Sequence, residues 1–257
     1  INTEAITMQM LENKVGLVTG GGVGIGRAIC EAFAREGAKV IVADFNTETG
    51  EETVAAIKAA GGDAHFVAAD VSDEDQVKVM IETAIRVYGG LDIACNSAAV
   101  SRGSGPIHEF ERSVFDDTLE MCLTNTWLCL KHEVTAMLAS AKGGSIVNIS
   151  SNSSLRGQPY NTAYAAAKSG VNILTKSAAV EYGKKGIRIN AVSPGLVKTE
   201  MIANELKTTS GKNKIKQIPI GRIASTDEVA NVVNFLCSDE ASYITGQTIN
   251  VNGGMYP

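Results

Sequence analysis

The stretch Thr19-Gly20-Gly21-Gly22-Val23-Gly24-Ile25-Gly26 decides the fold. An apolar run of strand length, residues 14–19, leads into it, and a run with helical spacing, residues 24–36, follows it. Glycine lets the backbone turn sharply between the two and approach another group closely. The helix that opens there presents free N–H groups and the positive end of its dipole. Such a strand–turn–helix suits a phosphate or pyrophosphate. The spacing is G-x-x-x-G-x-G, not the commoner G-x-G-x-x-G. Gly20, Gly24, Ile25 and Gly26 are therefore candidate cofactor contacts.

Outward from this turn the pattern repeats. Strand candidates lie at residues 14–19, 39–43, 64–68, 91–95, 145–149, 188–192 and 248–251. Helix candidates lie at 24–36, 47–60, 73–88, 112–141, 162–182 and 226–238. Several strands are almost wholly apolar, as expected where both faces of a parallel sheet are covered. Alternation of the two predicts an α/β fold, a Rossmann-like doubly wound sheet of about seven mostly parallel strands flanked by helices. Ser72…Asp75 and Ser225…Glu228 resemble capping boxes. No linker or repeat divides the chain, so residues 1–257 read as one domain. The polar stretch 200–219 interrupts the rhythm and is read as a lid over a ligand, with a plain surface excursion as the alternative.

Composition excludes several classes. The chain has 257 residues, 44% hydrophobic and 20% charged, with a net charge of −5. Both signs are scattered, which argues against a nucleic-acid or anionic-membrane partner. No apolar run approaches the roughly 18 residues of a membrane span. Residues 1–12 carry neither a basic region nor an apolar core, so no signal peptide is expected there. The five cysteines, Cys30, Cys95, Cys122, Cys129 and Cys237, contain no C-x-x-C pair. They read as buried free thiols in a reducing, cytoplasmic compartment. His65, His108 and His132 stand apart, so no metal site is expected.

Two further stretches carry chemistry. The second strand ends at Asp44, 18 residues beyond Gly26. A carboxylate there can accept hydrogen bonds from ribose hydroxyls and repels a 2′-phosphate. Phe45 follows it, and Gly21 and Gly22 supply no arginine, so NAD is expected over NADP. Asp70-Val71, after the third strand, can face an adenine, with a plain turn aspartate as the alternative. Tyr164-Ala165-Ala166-Ala167-Lys168 sits in the helix candidate 162–182. Positions i and i+4 share a helix face, about 5–6 Å apart at Cβ. A tyrosine titrates near pH 10 and a neighbouring cation favours its phenolate, which makes the pair a candidate acid/base unit.

These residues, with Asn96-Ser97-Ala98-Ala99, Ser151 and Pro194-Gly195-x-x-x-Thr199 in register, resemble the short-chain dehydrogenase/reductase family from about Leu11 to Gly254. The resemblance implies a Rossmann-like sheet and hydride transfer between a nicotinamide and an alcohol or carbonyl carbon. It gives Ser151, 13 residues before Tyr164, the substrate oxygen. Tyr164 becomes the acid/base. Lys168 holds the nicotinamide ribose and depresses the tyrosine pKa, with the positive nicotinamide helping. Asn96 helps order the cofactor and the fourth strand. Pro194, Gly195, Val197 and Thr199 lie at the carboxamide, and Ser153 is a further substrate contact. The implied chemistry is oxidation of a secondary alcohol by NAD, or its reverse. The same scaffold and motifs also serve 3-oxoacyl thioester reductases, and a nucleotide-sensing protein without catalysis is a third reading, opposed by the intact Ser151, Tyr164 and Lys168.

Three positions depart from the family pattern. Cys122 aligns with a helix asparagine that helps relay protons to the lysine, and Asn125 is the alternative for that role. Ser97-Ala98-Ala99 stands where Asn-Ala-Gly is usual. Ser154 stands where glycine is common. Pocket candidates are Val100, Ser153, Tyr160, Asn161, Leu196, Met201, Ile202, Met255 and Tyr256, which suit a small to medium, partly apolar alcohol, with a core or surface role as the equal alternative for each. Arg102 or Arg156 could greet an anionic substrate, with a solvated arginine as the favoured reading. The two long helices resemble those that pair in family homotetramers, with Trp127, Leu128 and Leu130 as interface or core residues.

Overall fold

The computed structural model describes residues 9–100, 102–200, 202–203 and 208–256. Seven apolar runs form strands: β1 (Val15–Thr19), β2 (Lys39–Asp44), β3 (Asp63–Ala68), β4 (Ile93–Asn96), β5 (Gly144–Ile149), β6 (Ile187–Pro194) and β7 (Thr248–Val251). Their order is β3-β2-β1-β4-β5-β6-β7, and every neighbouring pair is parallel. The chain reverses its direction of progress between β1 and β4, which places a crevice at their carboxyl ends.

The helices are α1 (Gly24–Arg35), α2 (Thr47–Ala59), α3 (Glu74–Tyr88), α4 (Arg112–Leu119), α5 (Asn125–Ser140), α6 (Thr162–Tyr182), α7 (Thr209–Lys216) and α8 (Thr226–Cys237). They cover both faces of the sheet. Val18, Val42 and Cys95 pack with Phe33 of α1, Val54 of α2 and Leu236 of α8. The alternate positions Leu17, Ile41 and Ala94 pack with Met80 of α3, Met137 of α5 and Ala178 of α6. Successive strand side chains point to opposite faces, so a strand covered on both sides must be apolar throughout. Full burial of a side chain such as Phe33 or Met80 contributes about 1.5–3 kcal/mol, so the two apolar layers, more than helix propensity, hold the helices in place.

The structure corrects two local expectations. The run 112–141 is not one α-helix, because a π turn, Glu120–Thr124, separates α4 from α5. There the Asn125 N–H bonds to Glu120 O instead of Met121 O. The Asn125 side chain replaces the lost donor, its Nδ2 lying 2.8 Å from Met121 O. At the start of α3 the cap is Asp73, whose Oδ1 accepts from the N–H groups of Asp75 and Gln76. Ser72 is drawn away because its hydroxyl donates to Asp70 Oδ1 at 2.7 Å. The predicted box at Ser225 and Glu228 is present in full. Within the stretch 200–219, α7 is helical, and Met201 and residues 204–207 lie outside the described residues.

Candidate active site

The glycine-rich turn leaves β1 at the reversal point. An added Cβ at Gly26 would lie 2.0 Å from Gly20 O, so only glycine fits there. Gly24 has φ +59° and faces Thr199, whose Cγ2 would lie 3.6 Å from an added Cβ. The Pro194–Thr199 segment is thereby brought across from the turn. The segment is held by Gly195 N–H donating to Val251 O at 2.9 Å and by buried Val197. No side chain caps α1, and its first turn carries no acidic residue. These uncapped N–H groups and glycines form a cradle that fits a pyrophosphate. A cavity of about 340 Å³ opens beside it, lined by Val23, Gly24, Arg27 and Thr199.

Asp44 ends β2 beneath this turn and is buried. Its Oδ2 accepts from Gly22 N–H at 2.8 Å and its Oδ1 from Asn46 N–H at 2.9 Å. A carboxylate has about four lone-pair positions, so acceptor capacity remains for hydroxyl groups. A Cβ on Gly22 would lie 2.9 Å from Asp44 Oδ2. Phe45 is exposed. Asp70 lies two residues past β3 as an exposed turn aspartate engaged by Ser72, and Val71 is buried. The small residues after β4 have a steric cause. The Thr19 hydroxyl accepts from Ser97 and Ala98 N–H, and an added Cβ at Gly20 would lie 2.9 Å from Ala98 Cα.

Ser151, Tyr164 and Lys168 come together at the carboxyl end of β5. Ser151 is extended and starts a 3-10 turn, Asn152–Ser154. Its hydroxyl faces the Tyr164 phenol and favours the phenolate, while it accepts from Ser153 N–H at 3.1 Å and lies 3.4 Å from Asn152 Oδ1. Lys168 is buried on α6, and its Nζ donates to Ile149 O at 2.8 Å. The same Nζ lies 5.9 Å from the centre of the Tyr164 ring.

The chain's own groups do not by themselves depress the tyrosine pKa. Burial pushes Tyr164 up to about 12; Cys122 adds to the rise and the Ser151 bond opposes it. Burial also holds Lys168 below the usual lysine range, with Cys122 opposing. Desolvation is the largest cause for both groups. Tyr164 is therefore a neutral phenol at pH 7 unless a further cation stands beside it.

Neither alternative for the helix asparagine provides a free amide. Asn125 Nδ2 donates to Ala98 O at 2.9 Å as well as to Met121 O, and its Oδ1 accepts from Thr126. Cys122 is buried and donates to Val100 O at 3.3 Å. Its thiol is raised by burial, against the pull of Lys168.

Around this centre the pocket candidates divide. The Ser153 hydroxyl donates to Gln158 Oε1 at 3.1 Å, and Asn161 Nδ2 donates to the same oxygen at 3.4 Å. Met255 reaches the turn after Ser151, where its Sδ accepts from Asn152 Nδ2 at 3.6 Å. The Arg156 guanidinium stacks on the Tyr256 ring at 4.1 Å, so that arginine has a partner within the chain. Leu196 instead lines a second cavity, of about 370 Å³, with Ile218 and Val251. Tyr160 is exposed, with φ +66°. Arg102 is exposed, and Met201 lies outside the described residues. Among the described residues no group of three His, Cys, Asp or Glu side chains could hold a metal ion. None of their helices is long and apolar enough to cross a membrane.

Sequence reasoning missed Gln158 and Glu133. Asn96 is buried, and its Nδ2 donates to Glu133 Oε2 and Asn148 Oδ1, both at 3.0 Å. Asn148 in turn donates to Thr175 on α6 at 2.9 Å. Asn96 thus ties β4 to β5 and α5, while its own Oδ1 is buried without a partner. Glu133 is fully buried, and burial raises its carboxyl to about 7, with the Asn96 bond opposing. The available signal was a carboxylate at helical spacing among the apolar Leu130, Val134 and Met137.

Known proteins agree with this arrangement. The family described as enoyl-(acyl carrier protein) reductase, a short-chain dehydrogenase/reductase group, matches residues 21–256. The uncharacterized oxidoreductase YxbG of Bacillus subtilis is 40% identical over 256 residues, covering 96% of this chain and 93% of that protein. The 2,5-dichloro-2,5-cyclohexadiene-1,4-diol dehydrogenase of Sphingobium indicum is 39% identical over 251 residues, covering 96% and 98%. The 3-oxoacyl-[acyl-carrier-protein] reductase FabG of Staphylococcus aureus is 39% identical over 251 residues, covering 96% and 100%. An Agrobacterium tumefaciens structure with bound NADP superposes with a TM-score of 0.90 at 31% identity, covering 97% and 98%. The chain belongs to the short-chain dehydrogenase/reductase family of oxidoreductases.

Proposed function

We propose that this single-domain protein is an NAD-dependent oxidoreductase that interconverts a secondary alcohol and its ketone. The observation that carries the reading is the meeting of Ser151, Tyr164 and Lys168 at the carboxyl edge of the sheet. Bound NAD supplies the hydride acceptor or donor. Gly20, Gly24, Ile25 and Gly26 cradle its pyrophosphate, Asp44 and Phe45 face the adenosine ribose, and Asp70 and Val71 face the adenine. Asn96, Pro194, Gly195, Val197 and Thr199 hold the nicotinamide end, with Lys168 on its ribose. Ser151 holds the substrate oxygen, and Tyr164 Oη takes or returns its proton. Ser153 lies at the substrate through its bond to Gln158. The test is oxidation of a panel of secondary alcohols with NAD and with NADP, followed at the nicotinamide absorbance. Turnover with neither cofactor would sink the reading.

Preference for NAD rests on Asp44. Its carboxylate is fixed in place by Gly22 and Asn46, and no basic side chain can grow from position 22 without meeting it. Asp44→Ala is expected to weaken NAD binding about 10- to 100-fold, as loss of hydrogen bonds to a charged group does. Binding of NADP should tighten relative to NAD. Fluorescence titration with both dinucleotides checks this, and an unchanged ratio contradicts it. A second reading, reduction of 3-oxoacyl thioesters, is favoured by the likeness to FabG. Activity on such a thioester with NADPH above that on any alcohol with NAD would select it.

A homotetramer in a cytoplasmic, reducing compartment completes the reading. Trp127 of α5 and Ile173 and Val180 of α6 are exposed apolar side chains, as a helix-pairing interface requires. All five cysteines are buried and free. Light scattering should give a mass near four chains, and a monomer would count against it.

A further inference from the structure

We propose that Ser154 is a positioning residue that sets the aim of the Ser151 hydroxyl at Tyr164, an inference that rests on the Ser151–Tyr164–Lys168 reading. Ser154 closes the 3-10 turn that Ser151 opens. Its N–H donates to Ser151 O at 3.0 Å, and its hydroxyl donates to the same oxygen at 2.6 Å. Both donors act on the peptide that sets the direction in which residue 151 leaves the strand.

The Ser154 oxygen also has two neighbours within hydrogen-bond reach. Asn172 Nδ2 on α6 donates to it at 2.9 Å, and the Ser150 hydroxyl lies 3.2 Å away. The Ser154 hydroxyl gives its proton to Ser151 O and accepts from Asn172, and the single Ser150 proton serves either Ser154 Oγ or Lys168 O. The Ser150 hydroxyl also lies 3.1 Å from Lys168 O, and the Ser169 hydroxyl donates to Ser154 O at 3.3 Å. The turn bearing Ser151 is therefore stitched to the helix bearing Tyr164 and Lys168, and Ser154 is the knot of that stitching. A glycine there keeps both bonds of the residue 154 backbone and loses every contact of the hydroxyl. Asn172 and Ser150 would then face a gap, and the turn would be free to rotate about the Ser151 peptide. Displacing a catalytic group by a fraction of an ångström is enough to slow a reaction.

The test compares Ser154→Ala, Ser154→Gly and Ser154→Thr with the wild type. Alanine and glycine should lower kcat about tenfold while KM for NAD stays unchanged, and threonine, which restores the hydroxyl, should recover most of it. Because the Ser151 bond lowers the tyrosine pKa, the alkaline limb of the oxidation profile should also move to higher pH in Ser154→Ala. Reduced stability with an unmoved limb would show a merely structural role and overturn the proposal. Crystal structures of wild type and Ser154→Ala, which need no turnover, should show the serine hydroxyl drawn away from the Tyr164 phenol. An unmoved hydroxyl overturns the proposal even where the wild type oxidises nothing on the panel. Retained turnover in Tyr164→Phe would instead overturn the underlying reading.

Discussion

Replacing Tyr164 with phenylalanine is expected to lower turnover about 10²–10⁴-fold, the range that a positioned acid or base contributes. The substitution removes one oxygen and leaves the ring in its buried place, so NAD affinity and thermal stability should change little. The geometry requires this because Tyr164 is the group that meets both the Ser151 hydroxyl and the Lys168 side of the site. The pH profile has a definite sign. Burial holds the phenol up at about 12, so it is protonated across the neutral range. Ketone reduction, in which Tyr164 Oη gives up a proton, should vary little between pH 6 and 8. Alcohol oxidation, in which Tyr164 Oη must be free to accept one, should rise with pH. A cation bound alongside favours the phenolate and brings that limb toward neutrality. Stopped-flow hydride transfer in both directions checks the profile. A phenylalanine variant that retains the rising limb would move the base elsewhere.

The second large effect is on stability. Glu133 is fully buried, with its carboxyl raised from 4.5 to about 7 by loss of solvent. Its folded pKa lies above its unfolded one, so between those values the folded chain binds more protons than the unfolded chain. Stability therefore falls as pH rises from about 4.5 to 7 and stays low above that. The difference of some 2.5 pH units corresponds to about 3 kcal/mol. Glu133→Gln keeps an acceptor for Asn96 Nδ2 and removes the charge. The wild type should thus lose about 3 kcal/mol relative to this variant between pH 4.5 and pH 8. Urea unfolding at a series of pH values measures the difference, in which the other titrating groups cancel. Identical slopes for the two proteins would mean that Glu133 is solvated or already paired.

Much of the site was legible before any coordinates. The turn Gly20–Gly26, Asp44 at a strand end and Tyr164 four residues before Lys168 are local patterns. Their geometry follows from strand, turn and helix periods alone. Ser225 and Glu228 form their box for the same reason. Ser72 did not, because a competing acceptor, Asp70, stood two residues away. A spacing rule counts candidates and does not rank their partners. The π turn at Glu120–Thr124 was illegible, since its single shifted bond depends on Asn125 also reaching Ala98, 27 residues away. Ser154 stood out in the sequence only as a serine where glycine is common. Its role depends on Asn172 and Ser150, which only the packing of α6 on β5 brings to one oxygen.

The sequence by itself determined the element order, the parallel sheet and the local motifs on which the proposed site rests. Those follow from short-range stereochemistry and from which side chains bury well. The tertiary structure alone decided how strongly each group holds its proton, because that depends on how much water the fold removes. Tyr164 and Lys168 stand four residues apart as expected, yet burial moves the tyrosine up and the lysine down. Glu133 reads as an ordinary helix glutamate in one dimension, and becomes a titrating group near neutrality only when the apolar layers close over it.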